Sequence, residues 1–211
     1  NRRGQVTGLS RGMTGIRASF GGREARAQVN VVINEVAELF VVPQQVETSV
    51  GLTTQVGAFG RLVDGETFVN LTAEAVWSSA DESIATVSNI PAYPGRVLGV
   101  APGEVMIRCA VAGVERSFPV FVRQREVIGL EISPPSPTLS VDVFQLMTAF
   151  AEFDDGGTQD VTVDATWTSS DTSILAVLPF RPGLVNTVSE GDAEITAQLG
   201  DLAASTTVTI R

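Results

Sequence analysis

The segment AVWSSADESIATV (residues 75–87) returns almost unchanged 90 residues later as ATWTSSDTSILAV (residues 165–177). The two tryptophans of the chain, Trp77 and Trp167, stand at the same place in both copies. Each is followed by a small polar turn, an acidic residue and a Ser-Ile pair. A repeat with this period predicts a tandem array whose unit has the size of one small β domain.

A second repeated segment occurs three times, at residues 4–33, at residues 95–122 with a short extension, and from about Val188 onward. The offset from the first copy to the second is 91 residues, and the offset from the second to the third is 88. Three copies of this half and two copies of the Trp-bearing half predict a chain that begins inside a module. We expect residues 1–34 to be the C-terminal half of a module, and residues 35–125 and 126–211 to be complete modules.

Apolar residues alternate within each copy of the second segment, and a period of two predicts a strand with one buried face. Glycines follow this strand and predict a hairpin, because glycine accepts the positive φ of tight turns. Two further segments, residues 54–62 and 147–153, are each predicted as an alternating strand that ends in an Asp-Gly hairpin turn. Pro43 and Pro134 are expected where a strand stops or switches sheets. The inward positions of the hairpin in the second copy are predicted to be Val105, Ile107, Cys109, Val111, Phe118, Val120 and Val122. The first four of these correspond to Thr14, Ile16, Ala18 and Phe20 in the first copy, and to Ala193, Ile195, Ala197 and Leu199 in the third.

About seven short strands per module, with one Trp on a central strand and no helical periodicity, predict an all-β fold of tandem immunoglobulin-like antiparallel β-sandwiches. The first module is expected to be incomplete. The run W-S-S-x-D-x-S-I-A-T-V, followed by G-x-V-x-G-V-A-P-G-x-x-x-I and a final alternating strand, resembles the bacterial immunoglobulin-like domain of group 2. The resemblance implies that this chain consists of modules like those of intimin-type and invasin-type surface proteins. The third copy departs from it at LPFRPGLVNTVSEG (residues 178–191).

Composition argues against several classes of function. The chain has 14 arginines, no lysine and no histidine, which removes most of the side chains used in acid-base or covalent catalysis. A net charge of −10 argues against nucleic acid or an anionic membrane as a partner, and no apolar run has the length of a membrane span. One cysteine cannot form an internal disulfide, and the absence of lysine excludes a Lys-Asn isopeptide bond. Because the chain lacks an initiator Met and a signal peptide, we expect a mature or internal piece of a longer protein.

The charge is distributed unevenly along the chain. Residues 1–33 contain six arginines and one acid, residues 34–128 contain six arginines and eleven acids, and residues 129–211 contain two arginines and twelve acids. The basic start is expected to face acidic neighbours that lie upstream in the full protein. The alternative is an attraction between the basic and acidic ends, within one chain or between chains.

Four groups of residues are candidates for chemistry, and each has a structural interpretation that we favour. Trp77 and Trp167 could stack on sugar rings, but their apolar flanks predict a core position. Asp81 and Asp171 could bind a metal, but their place in a turn predicts caps on neighbouring backbone N–H groups. Cys109 takes the place of an alanine in the other copies, which predicts a buried and unreactive thiol. The acids most suggestive of calcium are instead expected at a solvated hairpin tip: Asp154, Asp155, Asp160 and Asp164.

The sequence therefore predicts a protein with no catalytic, cofactor-binding or metal-binding residues. We expect a structural or adhesive array that acts as a spacer, or in protein or glycan interaction, with an extracellular or cell-surface location and the periplasm as the alternative. Expected partners are other modules of the same or neighbouring chains, and a host or cell-surface protein or glycan. Two further hypotheses stay open. The modules could be accessory to a larger secreted carbohydrate-active enzyme, or a neighbouring subunit of a filament could complete the half module.

Overall fold

The computed structural model describes residue 6, residues 12–31 and residues 35–211, and all regular structure in these parts is β-strand. The chain is therefore all-β, as predicted. Within the described residues, no helix has the length and apolar character needed to cross a membrane.

A single antiparallel hairpin accounts for residues 12–31. Strand β1 (Gly12–Phe20) pairs with β2 (Arg23–Val31) in a regular register. The turn between them consists of Gly21 and Gly22, whose φ angles of 57° and 78° favour glycine, as the sequence predicts. The Phe20 side chain is 92% exposed, although the equivalent position in both complete modules is partly covered. Phe20, predicted as an inward position, is therefore not covered by the described residues.

Residues 36–123 form ten strands in three sheets. The sheet orders are β3-β6-β7, β5-β10-β9 and β4-β12-β11-β8, and all pairs are antiparallel except that of β4 with β12. The strands are β3 (Val36–Val42), β4 (Val46–Ser49), β5 (Thr53–Gln55), β6 (Gly57–Leu62), β7 (Phe68–Asn70), β8 (Val76–Ser79), β9 (Ala85–Val87), β10 (Arg96–Gly99), β11 (Gly103–Val111) and β12 (Val114–Arg123).

Residues 127–210 repeat this arrangement strand for strand. The sheet orders are β13-β16-β17, β15-β20-β19 and β14-β22-β21-β18, which reproduce those of the first complete module in sequence order. The strands are β13 (Val127–Ser133), β14 (Thr138–Leu139), β15 (Phe144–Leu146), β16 (Thr148–Phe153), β17 (Thr158–Asp160), β18 (Thr166–Ser169), β19 (Leu175–Val177), β20 (Leu184–Thr187), β21 (Gly191–Leu199) and β22 (Leu202–Ile210). We propose module boundaries at residues 34/35 and 125/126, because the strand pairing of the described residues stays within these groups.

Each complete module changes sheets at two places along its first strands. β3 ends at Val42 before Pro43, and the chain then enters a different sheet as β4, as the proline predicts. The prediction of one continuous strand over residues 54–62 is wrong. The chain divides at Val56, so that β5 pairs with β10 whereas β6 pairs with β3. Period-two alternation continues through the division, and for this reason the sequence pattern could not reveal it.

The core of each module lies between its sheets, and it uses the alternating positions that the sequence predicts. Ile107, Cys109 and Val120 are fully buried in the first module, as are Ile195, Ala197 and Val208 in the second. The two Asp-Gly pairs form the predicted hairpin turns, and Gly65 and Gly156 have φ angles of 79° and 80°.

The loop before β20 departs from the family pattern in sequence but keeps one backbone feature. Gly183 lies at its end with a φ of 75°, and Gly95 lies at the equivalent point of the first module with a φ of 73°. In both places the glycine carbonyl accepts a hydrogen bond from the N–H of a buried residue, which is Val56 in the first module (3.0 Å) and Met147 in the second (2.8 Å). The shortened loop therefore returns to the sheet at the same point.

Candidate functional site: the junction between the complete modules

The two tryptophans lie in the module cores, which confirms the core interpretation over an exposed sugar platform. Trp77 is 2% exposed and packs edge-on against Phe118, with ring centroids 6.4 Å apart. Its Nε1–H donates to the carbonyl of Thr72 at 3.2 Å, and that of Trp167 donates to the carbonyl of Thr162 at 2.9 Å. The polar atom of each ring is therefore satisfied inside the protein.

Asp81 and Asp171 are turn caps, as predicted. The Oδ1 atom of Asp81 accepts hydrogen bonds from the hydroxyl and the backbone N–H of Ser83, at 2.6 Å and 2.9 Å. Asp171 and Ser173 repeat these contacts at the same two distances. In both copies the serine hydroxyl bond, followed by the backbone bond, lowers the pKa of the aspartate.

Cys109 is fully buried, and burial raises the pKa of its thiol to about 11. The thiol is therefore protonated at neutral pH and poorly nucleophilic. This agrees with the predicted structural role.

The four acids considered for calcium divide between two different places. Asp154 and Asp155 lie at the exposed turn after β16, where they accept the backbone N–H groups of Glu126 (3.2 Å) and Gly157 (2.9 Å). The expectation of a solvated tip is wrong for Asp164, which is half-buried against the first module. Among the described residues, no group of three or more His, Cys, Asp or Glu side chains is arranged to hold a metal ion.

The most organised polar arrangement in the described chain is the junction between the complete modules. The loop after β4 of the first module carries Leu52, which is only 7% exposed. Its side chain belongs to the apolar cluster of the second module rather than to that of its own, together with residues such as Phe153 and Val161. The first module therefore inserts an apolar side chain into the core of the second.

The Gln159 amide joins the two modules beside this insertion. Its Oε1 accepts the backbone N–H of Ser49 at 3.2 Å. Its Nε2 donates to the hydroxyl of Thr48 at 3.0 Å and to the carbonyl of Thr53 at 3.3 Å. Thr48 and Ser49 are fully enclosed, so these bonds satisfy polar groups that lie away from water.

The Asp164 carboxylate makes the second polar contact across the junction. Its Oδ2 accepts the backbone N–H of Thr53 at 3.1 Å, and its Oδ1 accepts the Thr53 hydroxyl at 2.7 Å. Desolvation by burial raises the pKa of Asp164, and the Thr53 hydrogen bonds and the charge of Arg96 only partly oppose this shift. The junction therefore holds a carboxylate whose charge is costly at neutral pH.

Arg125 fixes the short linker between the modules. Its side chain is 9% exposed and forms an ion pair with Glu47 of the first module. Its Nε lies 3.7 Å from Asp155 Oδ2 of the second module, and its guanidinium carbon lies 4.8 Å from the centre of the Phe153 ring. These contacts with both modules limit the freedom of the linker to act as a hinge.

A cleft of about 440 Å³ opens beside the junction, between β5 of the first module and the residues of the second module that face it. Its lining includes Thr54 and Gln55 from one module and Leu146, Val163 and Arg181 from the other. The lining combines hydroxyl, amide, apolar and charged groups, and its two carboxylates are those of Glu47 and Asp160. The contacts observed at the junction hold the two modules together.

Sequence reasoning missed Leu52, Gln159 and Thr53 as functional residues. A signal was nevertheless present, because these positions break the repeat. Leu52 and Thr53 correspond to Val143 and Phe144 in the second module, and Gln159 corresponds to Val69 in the first.

The fold and the junction together define a class, tandem immunoglobulin-like sandwiches that dock end to end. The model of the family described as bacterial Ig-like domain (group 2) matches residues 126–210. The resemblance seen in the sequence is therefore confirmed for residues 126–210.

Comparisons with individual proteins give the following similarities. Ice-binding protein 1 of Shewanella frigidimarina (strain NCIMB 400) is 30% identical over 210 residues, which cover all of this chain and 23% of that protein. Domains 4–9 of the surface layer protein SbsC are 20% identical with a TM-score of 0.48, over 98% of this chain and 36% of that one. FdeC, an Escherichia coli adhesin, is 14% identical with a TM-score of 0.34, over 95% of this chain and 74% of that one.

Proposed function

We propose that residues 35–211 act as a non-enzymatic spacer, in which two docked modules hold apart other regions of a longer bacterial protein. The observation that carries this proposal is the insertion of Leu52 into the core of the second module. A flexible tether would need no such contact, whereas a spacer that transmits a fixed direction does. The hydrogen bonds of Gln159 and Asp164 add directional contacts to the apolar one.

The proposal extends to an extracellular or cell-surface location, which the group 2 family match supports. This chain spans 23% of its ice-binding relative, so the activity of that whole protein would reside elsewhere in it if the spacer proposal is correct. Measurement of ice affinity for the 211-residue chain tests this point, because direct binding would place activity in the modules themselves. The hypothesis of a carbohydrate-active enzyme predicts the same spacer role beside a different partner domain.

The direct test of the spacer is to replace Leu52 by Asp. A charged side chain in the core of the second module is expected to undock the modules, because its desolvation is not compensated there. We expect the two modules of the unchanged chain to share one rotational correlation time in ¹⁵N relaxation, and those of L52D to show two shorter ones.

The matched control is Val143→Asp, at the equivalent position of the second module. Val143 lies outside both apolar clusters of the described residues. V143D is therefore expected to leave the common correlation time unchanged. Independent tumbling of the modules in the unchanged chain would refute the spacer proposal.

Asp164 gives the junction a predicted pH dependence. Its pKa is raised in the folded chain, so the folded form binds a proton more readily than the unfolded form. The resulting stabilisation is fully present below the ordinary aspartate value of 3.8 and is lost as the pH rises through the raised value. Between these two pKa values, acidification is expected to raise the free energy of unfolding of the unchanged chain relative to that of Asp164→Asn. Urea unfolding at a series of pH values measures this difference.

Asp164→Asn is the informative comparison because an amide can accept the Thr53 N–H and donate to the Thr53 hydroxyl. We expect this variant to be at least as stable as the unchanged chain at neutral pH, whereas Asp164→Ala leaves buried donors unsatisfied and loosens the junction. The groups that face Asp164 are Arg96 and Asp160, and both are retained in all three proteins. Identical pH profiles for the unchanged chain and D164N would contradict the assignment.

A further inference from the structure

The loop that carries Leu52 in the first module has a preformed counterpart in the second. We call residues 139–146 the distal loop of the second module, and they correspond to residues 48–55 of the first at an offset of 91. In the first module Gly51 N–H donates to the Gly99 carbonyl at 2.9 Å, and Gly99 N–H donates to the Leu52 carbonyl at 3.1 Å. The same two bonds recur in the distal loop between Asp142, Val143 and Thr187, at 3.1 Å and 3.0 Å.

The distal loop keeps this shape although its sequence makes the shape costly. Asp142 has a φ of 60° where the first module has a glycine with a φ of 81°. A non-glycine residue in this region is strained unless its surroundings hold it there. The fully buried Thr187 hydroxyl does so by accepting the Val143 N–H at 2.9 Å and by donating to the carbonyl of Ser140 at 2.8 Å. The loop is therefore preorganised with no module docked on it.

The side chains of the distal loop have a different chemistry from those of the observed junction. Phe144 replaces Thr53 and is 66% exposed, and Val143 replaces Leu52 and is only half-buried. Leu139 stands in place of Thr48, whose hydroxyl accepts the Gln159 amide at the observed junction. A glutamine on a docked partner would lose the hydroxyl contact here and keep only the backbone contacts that Gln159 makes at Ser49 and Thr53. The distal loop therefore suits an apolar residue at the receiving end, which is the end of a module that holds Leu52 at the observed junction.

From these observations we propose that the distal loop is the docking surface for the receiving end of another immunoglobulin-like module. That module carries an apolar residue in the place of Gln159. The inference rests on the proposed spacer function. The first module has such a receiving end, because Val69 occupies that position. This end also carries the exposed Glu74 in the place of Asp164, so it combines an apolar Val69 with a carboxylate. The equivalence of the distal loop to a loop already in a junction identifies the occupant as a module.

The test extends the full chain by one module. A second copy of residues 33–125 is fused directly after Arg211, which reproduces a three-residue linker, because Arg211 corresponds to Arg123 and to Val32 in the repeat. Hydroxyl-radical labelling then measures the exposure of Phe144 in the extended chain and in the 211-residue chain. We expect labelling of Phe144 to slow by about fivefold or more on extension, because a docked surface is shielded from solvent. Val69→Asp in the appended copy alone is expected to restore it.

Labelling of Leu52 in the same sample separates the two proposals. Protected Leu52 with an unprotected Phe144 overturns this inference and leaves the spacer proposal standing, whereas exposure of both residues refutes both proposals. If the extended chain folds poorly, sedimentation of the 211-residue chain, of Phe144→Asp and of Val69→Asp provides a second measurement. Association of the 211-residue chain that both F144D and V69D abolish would support docking of a Val69 end on the distal loop, whereas a dimer that F144D abolishes and V69D leaves unchanged would overturn the inference.

Discussion

Replacing Gly183 by Ala is expected to destabilise the second module by about 3 kcal/mol, because the new methyl group meets backbone as well as an unfavourable φ. A Cβ at this position would collide with the carbonyl oxygen of Met147, a backbone atom between β15 and β16, and would lie 2.7 Å from Thr162 Cγ2. Urea unfolding followed by the amide signals of each module measures the effect separately in the two modules. The same reasoning applies to Gly95 in the first module, where the obstacle is the carbonyl of Val56.

Gly156→Ala is the matched control in the same module. Gly156 has a φ of 80°, close to that of Gly183, but a Cβ there would meet nothing within 4 Å. Its cost is therefore that of the backbone conformation alone, about 1 kcal/mol. Equal losses for the two variants would show that the close approach to Met147 contributes nothing.

Replacing Trp77 by Ala is expected to cost the first module about 3–5 kcal/mol, the usual range for deleting a large buried aromatic side chain. The loss combines the removed apolar area, the edge-on contact with Phe118 and the hydrogen bond to Thr72. A single module has a total stability of roughly 5–15 kcal/mol, so most of it is at risk. Differential scanning calorimetry should show the first module unfolding at a much lower temperature while the second keeps a separate transition.

The neighbouring residue supplies the control for this second prediction. Val76 lies on the same strand, points outward and is 65% exposed. Val76→Thr keeps the β-branch and is expected to change the free energy of unfolding by less than about 0.5 kcal/mol. A folded W77A variant of unchanged stability that had lost glycan binding would contradict the core assignment and favour a sugar platform.

The fold was predictable because its signals are local and occur in repeats. Alternation at Val105, Ile107 and Cys109 predicts a strand with one buried face, and the glycines that follow require tight turns. Trp77 and Asp81 could be assigned to core and cap because each recurs in the second module with the same neighbours. The division at Val56 could not be predicted in the same way, since a strand that changes sheets keeps its period of two.

The candidate site was less predictable because it is formed between modules. Asp164 was expected with the solvated acids, and only the packed structure places it half-buried against Thr53 of the first module. A carboxylate that lies 111 residues from its partner has no local sequence signal. Its proximity depends on how two sandwiches meet, which no short-range pattern encodes.

The repeated sandwich modules, and the corresponding core positions of Trp77 and Trp167, follow from the amino-acid pattern alone. Periodicity and turn chemistry act over a few residues and can therefore be read from the sequence. The packing of Leu52 in the next module, and not in its own, is seen only in the folded chain. Burial is a property of assembled surfaces, so an apolar residue in a loop can be assigned to a core only when both surfaces are present.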